Sequence, residues 1–183
     1  MKSPVDEINA AFDGVERPKE LTLHVAEQHD NYDYSNDATH RAKDYDGRWQ
    51  DVPDEHLLRC HWGLTHLGAD GLPFYLPAAM TWVLKNFRDT NELLVDWTIY
   101  QLNPNRDDKG LAERYDSRFQ LFTSAQWCAC RAFLEYLLFE DPDGDIIDAV
   151  VAKQALAEVD AKINGEQSLD GNPTSPFTLD APK

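Results

Sequence analysis

The stretch from Leu72 to Phe87, LPFYLPAAMTWVLKNF, constrains the fold more than any other part of the chain, because it joins two prolines to an apolar helical stripe. Pro77 suits the first turn of a helix, where its missing N–H costs nothing. A residue that precedes a proline avoids the α region, so residues 74–76 are expected to enter as a short extended arm. We therefore predict a core helix that begins at Pro77. Its apolar side chains are spaced as one helical face: Met80, Val83, Leu84 and Phe87.

Three further segments in the first hundred residues carry helix signals. Ser3-Pro4, followed by acidic residues, is typical of a helix start. A second helix is expected from about Pro53, and it should end at the glycines near residue 70. Residues 91–102 fit both an alternating strand and a short helix, and we favour the helix because the rest of the chain is helical. The alternation of apolar and polar residues across 21–25 allows one short strand.

Two helices are predicted in the last third of the chain. Thr123 and Gln126, three residues apart, form the pattern of a capping box at the start of one of them. The last helix should begin near Asp145 and end at Gly165. The fold class predicted from all these signals is mainly α: a single compact domain of five or six helices, with at most one short strand or hairpin.

The composition is that of one globular domain in a reducing compartment. The chain has 183 residues, 42% of them hydrophobic, which suffices for a sizeable core. We expect a helical domain over residues 1–165 and a flexible C-terminal tail over 166–183, where turn-forming residues dominate. The N-terminus carries acids where a signal peptide needs an apolar run. The three cysteines fit neither a disulfide set nor a zinc spacing, so a cytoplasmic location is expected.

The formal net charge of −16 limits the kinds of partner. Nucleic-acid binding requires Lys and Arg to neutralise phosphates, and adhesion to anionic membranes requires a basic surface. We therefore expect neither nucleic acid nor membrane as a partner. The charge either keeps the protein in solution or steers it towards a basic protein.

The most acidic part of the body is the segment 27–46. It contains six acidic residues against Arg41 and Lys43, a formal charge of −4, with three tyrosines among them. One interpretation is a solvated loop whose tyrosines cover the core. The other is a partner-binding surface, since tyrosines supply contact area while acids attract a cationic groove. The candidate partner-binding residues are Asp30, Tyr32, Asp33, Tyr34, Asp37, Asp44, Tyr45 and Asp46.

The sequence offers no residue that we assign to catalysis, a cofactor or a metal. Gly-rich phosphate loops, nucleophile elbows and HExxH are absent. His56, His61 and His66 are five residues apart, which turns each by about 140° around a helix, so they cannot face one metal ion. The run from Asp141 to Asp145 has its glycine at the wrong position for an EF-hand loop, and a negatively charged helix cap is the better interpretation.

The alternative to a binding protein is a small-molecule-binding or enzymatic helical domain. Tyr75 and Trp82 belong to the proline-containing stretch and would line the pocket of such a domain. A polar, well-formed cavity beside these two side chains would favour this alternative, and a filled aromatic core would argue against it.

Several motifs together resemble an uncharacterised bacterial family of domain-of-unknown-function proteins. They are distributed from the first helix to about residue 140 and comprise Ala11-Phe12, Trp49, His66-Leu67, FYLPAAM (Phe74 to Met80), RFQLFTSAQ (Arg118 to Gln126) and FLEYL (Phe133 to Leu137). The resemblance implies a cytoplasmic, mostly helical domain without a known activity. Small proteins of this kind often look like immunity or antitoxin proteins. The function expected here is accordingly a non-enzymatic acidic protein that occludes a basic toxin, such as a secreted nuclease.

Overall fold

The structure, a computed structural model, describes residues 2–104 and 106–170, with side chains as far as Gly165. Within these ranges the chain is helical and has no strand, so the predicted fold class is confirmed while the count of five or six helices is too low. Two short 3-10 turns, Trp49–Asp51 and Trp62–His66, interrupt the sequence of α-helices. The nine described α-helices are α1 (Pro4–Ala11), α2 (Leu23–Asp30), α3 (Asp37–Arg41), α4 (Asp54–Arg59), α5 (Leu72–Asn86), α6 (Leu94–Gln101), α7 (Lys109–Phe119), α8 (Ser124–Glu140) and α9 (Ala149–Asp170).

Helix α5 is the centre of the molecule, but it begins earlier than predicted. It starts at Leu72, Pro73 lies in its first turn, and Pro77 lies inside the helix. Residues 74–76 are therefore helical rather than extended. An internal proline removes one backbone hydrogen bond and costs about 3 kcal/mol or more. Twelve of the fifteen residues of α5 are buried, among them all nine from Leu72 to Met80, and this burial offsets that cost, since each large apolar side chain contributes about 1.5–3 kcal/mol.

Four of the other described helices pack directly against α5. Helices α1, α4, α6 and α8 and the 3-10 turn at Trp49 contact it directly, and α8 lies between α1 and α9. The Trp49 indole donates to the Phe12 carbonyl over 2.8 Å, which fixes the end of α1 against this core. The Phe12 ring also meets the rings of Trp49 and Phe122 edge to face, at centroid distances of 6.5 and 5.7 Å.

Three predictions about helices in the second half of the chain meet different outcomes. The Thr123 hydroxyl accepts the Gln126 amide over 3.3 Å, and the Gln126 side chain accepts the Thr123 amide over 3.0 Å, so the predicted capping box of α8 is confirmed. The helix expected from residues 91–102 is confirmed as α6. The predicted start of α9 near Asp145 is wrong. The helix begins after Asp148, whose carboxylate caps it by accepting the amides of residues 150 and 151.

The structure can be compared with three further predictions, for a strand, the end of α9 and the tail. The prediction of a strand at residues 21–25 is wrong, since α2 begins at Leu23. Helix α9 continues through Gly165 to Asp170, which places its end later than predicted. Residues 171–183, most of the expected tail, lie outside the described residues. None of the described helices is both long and apolar enough to cross a membrane.

A buried arginine holds the segment before α5 in place. The guanidinium of Arg118 on α7 donates to the carbonyls of Leu67 and Leu64 over 3.0 and 2.6 Å, and to the Gln101 side chain over 2.7 Å. Burial lowers the pKa of Arg118 to about 10, which leaves it charged at neutral pH. These three acceptors are neutral, so Arg118 serves as a hydrogen-bonding cross-link between α6, α7 and the turn at residues 62–66.

Replacing Arg118 should therefore destabilise the fold. We expect Arg118→Ala to lower the free energy of unfolding by about 3 kcal/mol, because it leaves buried carbonyls without donors. Arg118→Lys should recover part of the loss, since an ammonium group cannot reproduce the planar fork. Arg131→Ala, which removes an exposed ion pair with Glu135, should cost less than about 1 kcal/mol. Urea denaturation measures all three, and equal losses for Arg118→Ala and Arg131→Ala would contradict the assignment.

Candidate functional site

The acidic segment predicted as a binding surface forms the end of α2, a tight loop, α3 and the turn that follows. The loop leaves α2 through a hydrogen bond from the Asp33 amide to the Gln28 carbonyl, 2.9 Å long. The Asn31 side chain donates to the Glu27 carbonyl over 2.8 Å. The amide and hydroxyl of Ser35 both donate to Asp33, over 2.9 and 2.6 Å, and lower the pKa of that carboxyl. The loop backbone thus has a defined conformation fixed by its own side chains.

Two residues of this loop adopt a left-handed backbone conformation. Tyr32 has φ of 59° and Asn36 has φ of 61°. Asparagine tolerates this region, whereas a bulky side chain such as tyrosine is an outlier there. The Tyr32 side chain is nevertheless 85% exposed, so contacts of its ring with the core do not account for the conformation. Strained residues of this kind cluster at functional sites.

A second exposed tyrosine lies beside the first. Tyr34 is 66% exposed, and its ring rests on the His29 ring at a centroid distance of 4.9 Å. His29 Nε2 lies 3.1 Å from a carboxylate oxygen of Asp37 at the start of α3. We call the five residues that lie at this end of α2 and α3 the Asp/Tyr loop surface: Asp30, Tyr32, Asp33, Tyr34 and Asp37.

The other three predicted site residues lie elsewhere. Asp46 is exposed, but it lies beside Gly14 and Arg17 in a separate shallow cavity. Tyr45 is half-buried against the hydrophobic core. Asp44 is buried, with its side chain only 1% exposed. The structure therefore keeps five of the eight residues in one surface and removes Asp44 from any exposed surface.

Asp44 is buried because its carboxylate caps the start of α2, although it lies twenty residues after His24 in the sequence. Thr22, the residue at the cap position of α2, makes no side-chain hydrogen bond to that helix. Both carboxylate oxygens of Asp44 instead accept the His24 amide over 3.3 Å, and one also contacts His24 Nδ1 at 2.9 Å. The Tyr75 hydroxyl on α5 donates to Asp44 over 3.4 Å. Burial raises the pKa of Asp44, but the hydrogen bonds, those of His24 first, outweigh it and lower the pKa overall.

A second histidine completes a cluster that the sequence did not reveal. The rings of His24 and His56 meet at 89° with centroids 4.8 Å apart. One ligand atom from each of His24, Asp44 and His56 lies within 4.8 Å of the other two. These residues come from α2, the turn after α3, and α4. They share no short spacing in the sequence, so the spacing of His56, His61 and His66 could not indicate this cluster.

The pocket expected near Tyr75 and Trp82 is not formed by these two side chains together. Tyr75 is 1% exposed, and its ring packs against Phe74 at 4.9 Å. Trp82 borders a cavity of about 190 Å³ with Asp54, Thr81 and Lys85, and the lining of that cavity does not include Tyr75. The stretch around Tyr75 is a filled aromatic core.

A comparison of the sequence with protein families gives one assignment. The model of a family of unknown function, DUF6714, matches residues 2–160. The chain belongs to this family. No curated protein and no solved structure gives a significant match. The matched range includes the Asp/Tyr loop surface and the His24, Asp44 and His56 cluster, so both lie within the family domain.

Removing the Asp44 carboxylate should destabilise the protein. Asp44→Ala leaves the His24 amide and ring nitrogen without their buried acceptor, and we expect a loss of about 3 kcal/mol in the free energy of unfolding. Asp44→Asn keeps one acceptor oxygen and should lose less. Asp46→Ala, at an exposed acid two residues away, should change stability by less than about 0.5 kcal/mol. Chemical denaturation of the three variants measures this, and an Asp44→Ala protein as stable as Asp46→Ala would refute the capping role.

Proposed function

We propose that this protein is a non-enzymatic binding protein whose Asp/Tyr loop surface binds a basic protein. The observation that carries the proposal is Tyr32, which is 85% exposed and held at a positive φ in a loop braced by its own hydrogen bonds. A rigid loop loses little conformational entropy on binding, and an exposed tyrosine supplies a large contact area.

The charge around the tyrosines supports a cationic partner. The Asp/Tyr loop surface contains three acidic residues, Asp30, Asp33 and Asp37, and no basic one, a formal charge of −3. The whole chain carries −16. Such a field accelerates the encounter with a positively charged protein and weakens as salt is added.

The class of partner we propose is a basic bacterial toxin, such as a secreted nuclease domain, which would make this chain an immunity or antitoxin protein. The support is of two kinds. The charge complements that of a protein that binds nucleic acid, since nucleases need basic surfaces to hold phosphates. The other support is an analogy, since small proteins without a known activity, such as members of this family, often look like immunity or antitoxin proteins.

The proposal predicts that two tyrosines supply much of the binding energy. Wild-type protein and the double variant Tyr32→Ala/Tyr34→Ala are each used to capture cationic proteins from cells of the source at low salt, and the captured amounts are compared. The wild-type protein should enrich a partner that the double variant does not. With the purified partner, each single substitution should weaken Kd by about tenfold or more, which corresponds to about 1.4 kcal/mol. Phe139→Ala is the matched control, because Phe139 is an aromatic residue of α8 that is 80% exposed.

Salt dependence separates the contribution of the acids. Asp33→Asn/Asp37→Asn should lower the association rate at low salt and leave the dissociation rate nearly unchanged, which is typical of charges that act by steering. A partner whose affinity is the same for wild type and for the tyrosine and aspartate variants would exclude the Asp/Tyr loop surface as its binding site.

A further inference from the structure

Three side chains of the types that ligate metal ions converge where α2, α4 and the turn after α3 meet. The Asp44 carboxylate and the His24 ring are almost fully enclosed, with 1% and 10% of their side chains exposed. His56 is half-buried and lies on the side of the cluster that solvent reaches. The rings of the two histidines are in contact edge to face. A site of this form has an enclosed base and an accessible entrance.

We propose that His24, Asp44 and His56 bind a divalent transition-metal ion of the zinc class. Two imidazole nitrogens and one carboxylate are the donors that zinc and its neighbours in the first transition row accept. Calcium and magnesium prefer oxygen ligands throughout, and two of the three residues here offer nitrogen. The proposal does not depend on the partner-binding role of the Asp/Tyr loop surface.

The contact between Asp44 and His24 sets the roles of the residues. The 2.9 Å distance from His24 Nδ1 to the carboxylate is that of a hydrogen bond in which the ring donates. A bound ion would take the place of this proton, which leaves for solvent, so that His24 Nδ1 and the carboxylate become ligands and His56 supplies the second nitrogen. Asp44 also neutralises part of the charge of the ion.

The spacing requires only a small movement. Tetrahedral ligands with bonds of about 2.0–2.1 Å lie about 3.3 Å apart, whereas the largest separation among the three ligand atoms is at most 4.8 Å. Closing this difference of about 1.5 Å requires rotation of a side chain, and half-buried His56 is the residue free to rotate. Asp44 keeps its hydrogen bonds from the His24 amide and the Tyr75 hydroxyl and stays in place.

A bound ion would tie α4 to α2 and to the turn that supports the Asp/Tyr loop surface. None of the hydrogen bonds of Asp44 named above reaches α4, since they go to His24 on α2 and Tyr75 on α5. The His56 ligand would add that link. Metal binding should therefore raise the melting temperature, because an ion that binds the folded chain more tightly than the unfolded chain stabilises it.

The test uses the full chain without a histidine tag, stripped of metal with a chelator and then dialysed. Calorimetric titration with Zn²⁺ should give one site per chain and a higher melting temperature, and Co²⁺ should give the visible absorption of a low-symmetry nitrogen-ligated complex. His56→Ala removes a ligand and should weaken Kd for Zn²⁺ by about 100-fold. Loss of a residue that only supports a ligand already costs up to about 100-fold in metal affinity. His40→Ala is the control, because His40 lies on α3 outside the cluster, and its Kd should match wild type.

A measurement on the wild-type protein tests the proposal even if a variant folds poorly. In NMR spectra of wild type, Zn²⁺ should shift the ring signals of His24 and His56 and leave those of His40 and His61 in place. The proposal is overturned if wild type binds no Zn²⁺ or Co²⁺, if His56→Ala binds as tightly as His40→Ala, or if the ion shifts other histidines instead.

Discussion

The carboxylate of Asp44 is the constraint on which the acidic end of the molecule depends. It caps α2 through the His24 amide, contacts the His24 ring and accepts the Tyr75 hydroxyl from the central helix. Removing a charge from water costs several kcal/mol and is tolerated only when hydrogen bonds replace the lost hydration. Because these contacts come from α2 and α5, the turn after α3 is fixed to the core, and the loop between α2 and α3 is held at both ends.

That attachment separates two kinds of acidic residue within one stretch of sequence. Asp44 is part of the interior, whereas Asp33 and Asp37 are only half-buried and lie beside two exposed tyrosines. The loop can then present a fixed arrangement of aromatic and acidic groups, which is the property a binding surface needs. The same interior carboxylate lies next to two histidines, so one residue contributes both to the shape of the loop and to the proposed metal site.

The features that could be predicted from sequence are local ones. The capping box at Thr123 and Gln126 and the helix at 91–102 depend on residues a few positions apart, and the structure has both. The features that were missed depend on contacts across the fold. Pro77 looked like a helix start, yet the burial of every residue from Leu72 to Met80 keeps it inside the helix. Asp44 looked like its exposed neighbours, and its contacts with His24, twenty residues earlier, and with Tyr75 on α5 hold it in the interior.

The central claim is that the loop between α2 and α3 is rigid before any partner binds. Hydrogen–deuterium exchange of the free protein tests it most directly, at the amides of His24 and Asp33, which donate to Asp44 and to the Gln28 carbonyl. Both should exchange at least about 100-fold more slowly than in an unstructured peptide, equivalent to an opening free energy of about 2.7 kcal/mol. If the Asp33 amide exchanges as freely as in a peptide while α5 stays protected, the loop is not held in advance and the account is contradicted.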